Sequence, residues 1–434
     1  MGKQTMSKMV RITAAIVAIA TIVGICRFIQ KPAMGEARFF RNREFHFQTL
    51  RALGHIPYGG ADTAEILATI RRIPEGDVES WFREWNRTAE QVEEMAHELS
   101  DPISKGRALL RAHNYYRTAE FFISPDDPRK RKTFQKGVDT FNEAIHVLDI
   151  EHEQISVPFG EHFLKAIYYP GPLKAEEKPL IVIIPGYDST MEESYFSLAA
   201  AAIERGFSCL TYEGPGQGSI IWEQGLTFTP EWERPNSALL DEFFRRHPRA
   251  RKVVLVGISL GGYFAPRAAA FDDRIDGVVS FDVLYDYSEL PLKDVPAFFK
   301  YLYRNGFVRT VNGLAGLNMK ISPEMRAGFK EASWKTGAKH PFDLARSYER
   351  YNLNGVADKI NCDVLILAGE KDDFVPIEQI AEFQRSLVNA RSVTTRVFTE
   401  EEGGEAHCQP GAATLVHAVL FDWIEKTFGR VDPA

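Results

Sequence analysis

The chain has 434 residues, of which 44% are hydrophobic and 26% charged, and its formal net charge is -7. That length and apolar content allow a large core and more than one structural unit. The acidic balance, with no basic stripe interleaved with aromatics, argues against a nucleic-acid-binding surface. Cys26, Cys209, Cys362 and Cys408 make neither metal-ligand spacing nor a disulfide framework, so no metal or other cofactor is expected.

In chain order, the first feature is an apolar run of 15 residues, Ile12 to Cys26, preceded by Lys3, Lys8 and Arg11 and followed by Arg27 and Lys31. It falls short of the ~20 residues that cross a bilayer, but a basic stretch before an apolar core suits a signal-like segment. No small-x-small cleavage site follows it. Residues 1–35 are therefore read as an uncleaved membrane anchor, with secretion after cleavage and a cytosolic amphiphilic arm as the alternatives. The acceptor sequon Asn86-Arg87-Thr88 would be usable only in the secretory pathway.

Residues 36–150 have helical periodicity. Trp81, Trp85, Ala89, Val92, Ala96 and Leu99 recur at three and four, as do Ala108, Ala112, Tyr115, Ala119 and Phe122, and then Phe134, Val138, Phe141, Ile145 and Leu148. Pro102 and the turn Pro125-Asp126-Asp127-Pro128 punctuate these helices, and no fixed-period repeat is present.

From residue 151 strands and helices alternate, as in an open, mostly parallel sheet. A leading hairpin (155–159 and 163–169) carries Pro158, which suits an edge strand. The strands at 180–184, 207–212, 253–256, 277–281, 364–367 and 394–398 follow; the middle ones are continuously apolar, as strands covered on both faces must be. An aromatic and basic insertion, 282–355, reads as helices over the strand ends, part of a lid.

The chemistry is concentrated where these strands end. Gly257-Ile258-Ser259-Leu260-Gly261 joins Val253–Val256 to a small-residue helical run, the pattern of a nucleophile elbow that lifts a serine out of the sheet. A serine hydroxyl needs a base and an orienting acid, in that fold order the acid first. Asp372 stands just past the strand ending at Gly369, with Asp373 as the competing choice, and His407 sits in a loop before the closing helix. Cys408 beside it has no base of its own and reads as a packed free cysteine. The Leu260 amide is one candidate oxyanion donor, and the Tyr187 amide, in Pro185-Gly186-Tyr187-Asp188-Ser189-Thr190 after the most apolar strand, is the other. Glu213 and Asp282 also follow strands. Glu213 is read as a structural turn residue, with a site-facing role as the alternative, and Asp282 has no assigned orientation.

These residues resemble an α/β-hydrolase. The N-terminal motifs Gly59-Gly60-Ala61-Asp62, the Asp77–Trp85 stretch and the Arg111–Phe122 stretch, with Tyr212-Glu213-Gly214-Pro215-Gly216-Gln217-Gly218 and Glu405-Ala406-His407-Cys408-Gln409, are similar to its FrsA-like branch. That branch includes 2,6-dihydroxypseudooxynicotine hydrolase and fungal pigment hydrolases that shorten polyketides. The resemblance implies a pocket between the N-terminal helices and the sheet, lined by the 114–120 helix face, with Tyr115 and Tyr116 as candidate substrate contacts equally suited to the core; Glu213 and Asp282, from their places after strands, are further candidate contacts. It also leaves room for a homodimer.

The expected activity is serine-dependent cleavage of an ester, amide or ketone-adjacent carbon–carbon bond in a bulky polyketide-type metabolite. A cyclase using His407 as base on the same fold is the alternative. An inactive binding protein is disfavoured, because no triad position is replaced.

Overall fold

The computed structural model describes residues 38–171, 178–247, 252–288, 290, 292 and 295–429; the apolar N-terminal run and Cys26 lie outside them. Among the described residues five α-helices come first: α1 (Arg43–Gly54), α2 (Thr63–Ile70), α3 (Val78–Glu98), α4 (Pro102–Glu120) and α5 (Pro128–Val147). Side-chain caps start them. Asn42 accepts from Phe45 N, Asp77 from Ser80 N, Asp101 from Ser104 N and Asp127 from Arg129 N, which satisfies amide groups that a helix start leaves open. Pro102 and Pro128 sit at the first helical turn, where a missing N–H costs nothing. The sequon lies inside α3, with Thr88 buried and its hydroxyl bonded to Thr69 Oγ1 at 2.6 Å.

Eight strands follow: β1 (Glu153–Phe159), β2 (His162–Tyr169), β3 (Leu180–Ile184), β4 (Cys209–Glu213), β5 (Val253–Ile258), β6 (Gly277–Phe281), β7 (Asp363–Gly369) and β8 (Ser392–Phe398). They form one sheet in the order β1-β2-β4-β3-β5-β6-β7-β8. The β1–β2 and β2–β4 pairs are antiparallel and all the others parallel. Pro158 is on the edge strand, as its missing N–H requires. Crossover helices are α6 (Ala200–Glu204), α7 (Gly218–Gln224), α8 (Glu233–Arg246), α9 (Gly261–Ala269), α14 (Glu378–Ser386) and the closing α15 (Ala413–Phe428). Between β6 and β7 the insertion folds as α10 (Ala297–Arg304), α11 (Val308–Ile321), α12 (Pro323–Thr336) and α13 (Pro341–Tyr348).

Alternate strand residues feed two cores. Leu180, Val182 and Ile184 pack with α8 and α9, whereas Ile181 and Ile183 share a core with α15 and with Trp81, Trp85, Tyr115 and Phe141 of the N-terminal helices. The helical region is thus continuous with one face of the sheet. Chain order reverses beside β3, whose neighbours are β4 and β5, and in such sheets ligands bind beyond the strand ends at that point. Among the described residues no helix is long and apolar enough to cross a membrane.

Candidate functional site

Ser259 directly follows β5 with φ +58°, a left-handed conformation in which a non-glycine residue is strained. Its amide donates to Phe281 O at 2.5 Å, and its carbonyl accepts from Gly262 N at 2.7 Å. A Cβ on Gly257 would lie 1.8 Å from the Gly261 carbonyl oxygen, so the turn from strand to helix is too tight for any side chain there.

The three ends of β5, β7 and the β8–α15 loop converge. His407 Nε2 is 2.8 Å from Ser259 Oγ, and its Nδ1 is 2.7 Å from Asp372 Oδ2. Asp372 Oδ1 accepts from the amides of Phe374 at 2.7 Å and Val375 at 2.9 Å, which fixes the carboxylate. Asp373 lines the cavity over the site and pairs with Arg43. Phe374 and, from α1, Phe47 set their rings 5.0 and 6.5 Å from the His407 ring.

Burial disfavours a charged His407, but negative charge at Cys408 and Asp372 raises it well above 6.5. Burial also holds the Cys408 thiol up, so near neutral pH the carboxylate is the effective partner. Asp372 itself is pushed up by burial and drawn down further by His407 and its amide donors, ending below its usual value.

The loop after β3 completes the floor. Gln217 Nε2 donates to Pro185 O at 2.7 Å and to Gly186 O at 3.0 Å, while Gln217 Oε1 accepts from Gly214 N at 2.9 Å. The Glu213–Ser219 motif therefore clamps the segment carrying Tyr187. The Tyr187 and Leu260 amides have no recorded hydrogen-bond acceptor among the described residues, and both residues line the cavity.

That cavity has a volume of about 1370 Å³ and opens over Ser259 and His407. The side formed by the insertion between β6 and β7 is apolar, with Leu290, Val295, Phe299, Leu314, Phe329 and Leu344 among the lining residues. Its opposite wall is polar. Arg51 of α1 donates from Nε to Glu193 at 2.7 Å, from Nη1 to Asp188 at 3.2 Å and from Nη2 to Ser189 at 3.0 Å. Burial would lower Arg51, and Asp188 and Glu193 outweigh it.

None of the four candidate substrate contacts lines the cavity, and the structure places Tyr115 and Tyr116 in the core and Glu213 in its turn, the alternatives that the sequence offered for them. Tyr115 and Tyr116 are core residues of α4: Tyr115 OH donates to Glu65 at 2.7 Å and accepts from Asp62 N at 2.9 Å, and Tyr116 OH bonds Glu93 at 2.5 Å. A whole helix, α1, stands between α4 and the site, and its Glu44, Phe47, Gln48 and Arg51 take the place expected for the 114–120 face. Glu213 is buried in its own turn, accepting from the amide and hydroxyl of Ser219 at 2.8 and 2.6 Å. Asp282 lies behind His407, 3.3 Å from Nδ1.

Nothing in the sequence pattern singled out α1, because its single buried cation looks like any surface arginine until its partners are known. Cys408 is a free cysteine on the cavity wall. Among the described residues, Asp282, His407 and Cys408 bring possible metal-ligand atoms within 4.8 Å of one another. The His407 and Asp282 atoms concerned are already engaged by Asp372 and the Cys408 amide.

Residues 181–419 match the model of the alpha/beta hydrolase family. The chain is 33% identical over 424 residues to the hydrolase acrC of Aspergillus aculeatus, covering 90% of this chain and 98% of that one. It is 31% identical over 420 residues to the 20-hydroxy-prefusarin hydrolase of Gibberella moniliformis, with coverage of 90% and 98%. In fold it is similar to 2,6-dihydroxy-pseudo-oxynicotine hydrolase, with a TM-score of 0.67, 20% identity and coverage of 86% of this chain and 95% of that one. A family match over more than half the chain, with fungal hydrolases aligned along nearly all of it, assigns the protein: it is a hydrolase belonging to the alpha/beta hydrolase family.

Proposed function

We propose that the protein is a serine hydrolase that cleaves an ester, amide or ketone-adjacent carbon–carbon bond in a bulky, largely apolar secondary metabolite. The observation that carries this is the hydrogen-bonded line Ser259–His407–Asp372 opening into a 1370 Å³ cavity whose insertion side is apolar. In this reading His407 Nε2 takes the Ser259 proton as Oγ attacks the carbonyl, and Asp372 holds the Nδ1–H tautomer and stabilises the imidazolium. The Tyr187 and Leu260 amides receive the developing oxyanion. His407 then protonates the leaving group, which for a β-dicarbonyl substrate is an enolate, and water releases the acyl group. The name of the 20-hydroxy-prefusarin hydrolase supports a substrate of natural-product size.

The test is turnover of an activated acyl ester, and mass analysis of product from a fungal metabolite extract, by the parent protein and by Ser259→Ala. A loss of about 10³-fold or more on both substrates is expected. Unchanged rates remove Ser259 as nucleophile, and an isomeric or dehydrated product in place of a water-added fragment converts the reading to a cyclase. Attachment to a membrane through residues 1–35 is proposed separately and is tested by fractionating cells that express the full chain and the chain lacking those residues.

A further inference from the structure

The proposed triad gives His407 one acid, yet a second carboxylate stands on the same nitrogen. Asp282 is the residue after β6, in the strand position adjacent to β7. Its side chain is 1% exposed. Its Oδ2 lies 3.3 Å from His407 Nδ1, against 2.7 Å for Asp372 Oδ2, and it accepts from the Cys408 amide at 2.6 Å. Gln409 Nε2 is 3.4 Å from the other oxygen. Both residues after the histidine are held in left-handed conformations, Cys408 at φ +55° and Gln409 at φ +43°; Asp282 receives the Cys408 amide, and Gln409 Nε2 is shared between Asp282 and the Ala406 carbonyl at 2.9 Å.

A turn of two such non-glycine residues is unfavourable by itself and persists only where surrounding contacts determine it. We propose that Asp282 is a second positioning carboxylate for His407, tying down the loop that carries the imidazole and taking over the Nδ1 proton when Asp372 cannot hold it. This rests on the reading of Ser259 and His407 given above.

The chemistry follows from the charges that face the imidazole: Asp372, Asp282, Cys408 and, from α1, Glu44. Burial raises Asp282 to about 7, and the neighbouring Asp372 charge adds to the rise while His407 opposes it. Near neutral pH the pair therefore carries between one and two negative charges, and the second becomes favourable when His407 takes the Ser259 proton. No atom is gained or lost in this step. One proton moves from Oγ to Nε2, and the Nδ1 proton stays shared between nitrogen and carboxylate.

Replacing the acid of a one-acid triad by its amide costs about 10⁴-fold in kcat, because the imidazole adopts the wrong tautomer. With Asp282 in reach, Asp372→Asn is expected to lose only about 10²-fold, and Asp282→Asn/Asp372→Asn the full ~10⁴-fold. Asp282→Asn alone keeps an acceptor for the Cys408 amide while removing a charge beside Nδ1. Its acidic limb of kcat/KM is expected to move to lower pH, a change that a merely structural hydrogen bond would not produce.

The experiment measures rates of Ser259 labelling by a fluorophosphonate, and ester turnover, across pH for the parent protein, Ser259→Ala, His407→Ala, Asp372→Asn, Asp282→Asn and the double variant. Asp372→Asn labelling within about 10³-fold of the parent protein supports the proposal, because a one-acid triad loses about 10⁴-fold, and this comparison does not depend on any Asp282 variant folding. Asp372→Asn slowed by more than about 10³-fold overturns the proposal while leaving the nucleophile reading intact. Labelling of the parent protein no faster than that of Ser259→Ala overturns both.

Discussion

Glu193 is where the N-terminal helices are fastened to the catalytic half by charge, and Glu193→Gln is the informative perturbation. Its carboxylate accepts from Arg51 Nε at 2.7 Å and Nη2 at 2.5 Å, lies 3.5 Å from Arg117 Nε, and is 2% exposed. Burial pushes His55 beside it down to about 4, so that ring is neutral at pH 7 and the cluster balances Arg51 and Arg117 against Glu193 and Asp188. The amide keeps the shape of the side chain and leaves one buried guanidinium uncompensated. At an effective dielectric near 20, a pair 3.5 Å apart interacts by roughly 5 kcal/mol, part of which is offset because the carboxylate no longer needs desolvating. Breaking a buried pair from one side costs about 3–5 kcal/mol, and that is the loss expected here.

Burial raises Glu193, but the two arginines outweigh it and hold the group below its usual range. Its contribution is therefore complete above about pH 4.5 and is lost only as pH falls through the lower folded value, so the deficit should be constant between pH 6 and 8. Urea unfolding followed by tryptophan fluorescence measures it. Adding Arg51→Met restores the balance between Arg117 and Asp188, and the double variant should be more stable than the sum of the singles. A loss under 1 kcal/mol, or simple additivity, would refute the charge-balance argument. Asp188 and Ser189 are the two residues after Tyr187, so the same variant should also lower kcat.

Two further outcomes follow from neighbouring groups. Burial, then the charge of Glu213, raises Glu192 to about 8, and neither of its oxygens has a hydrogen-bond partner among the described residues. A folded value above the unfolded one costs stability as pH rises from about 4.5 through 8, so Glu192→Gln should raise Tm at pH 8 and change it little at pH 5. Equal shifts at both pH values would disprove it. A Cβ on Gly186 would lie 2.9 Å from both Ser259 Cβ and the Ile258 carbonyl oxygen, so Gly186→Ala must move the Tyr187 segment away from the serine. Loss of one oxyanion donor is worth about 10²–10³ in kcat, which should fall by that order with KM nearly unchanged; parental kcat would show that Tyr187 is not a donor.

What could be read from the chain and what could not divide along a physical line. Strand-end motifs are local. The elbow at Ser259, the aspartate past β7 and the histidine before α15 each depend on a few consecutive residues, because a strand that stops and a helix that starts leave marks in glycine, proline and apolar runs. All eight strands were legible for the same reason, the starts shifting by at most two residues, as with the fourth, which begins at Cys209 where the pattern suggested Phe207. Asp372 and Asp373 both follow the end of β7, and one residue of register separates them in the sequence; the contact with His407 Nδ1 is made by Asp372.

Assignments that failed were those in which one helix had to be matched to a distant partner. Periodicity gave Tyr115 a buried face, but a buried face of α4 can meet either a cavity or another helix, and the sequence has no mark that distinguishes them. It met α2 and α3, through Glu65 and Glu93. The cavity went to α1, whose Arg51 finds its acids more than 130 residues away. Asp282 was similarly ambiguous, since one carboxylate after a strand looks the same whether it faces substrate or supports a base. Charge pairing across sequence distance is decided by packing, and packing is a property of the whole fold. The consequence is specific: Ser259, Asp372 and His407 sit on local strand-end motifs, whereas Arg51 and the other polar groups of the cavity wall sit where only the assembled helices bring them.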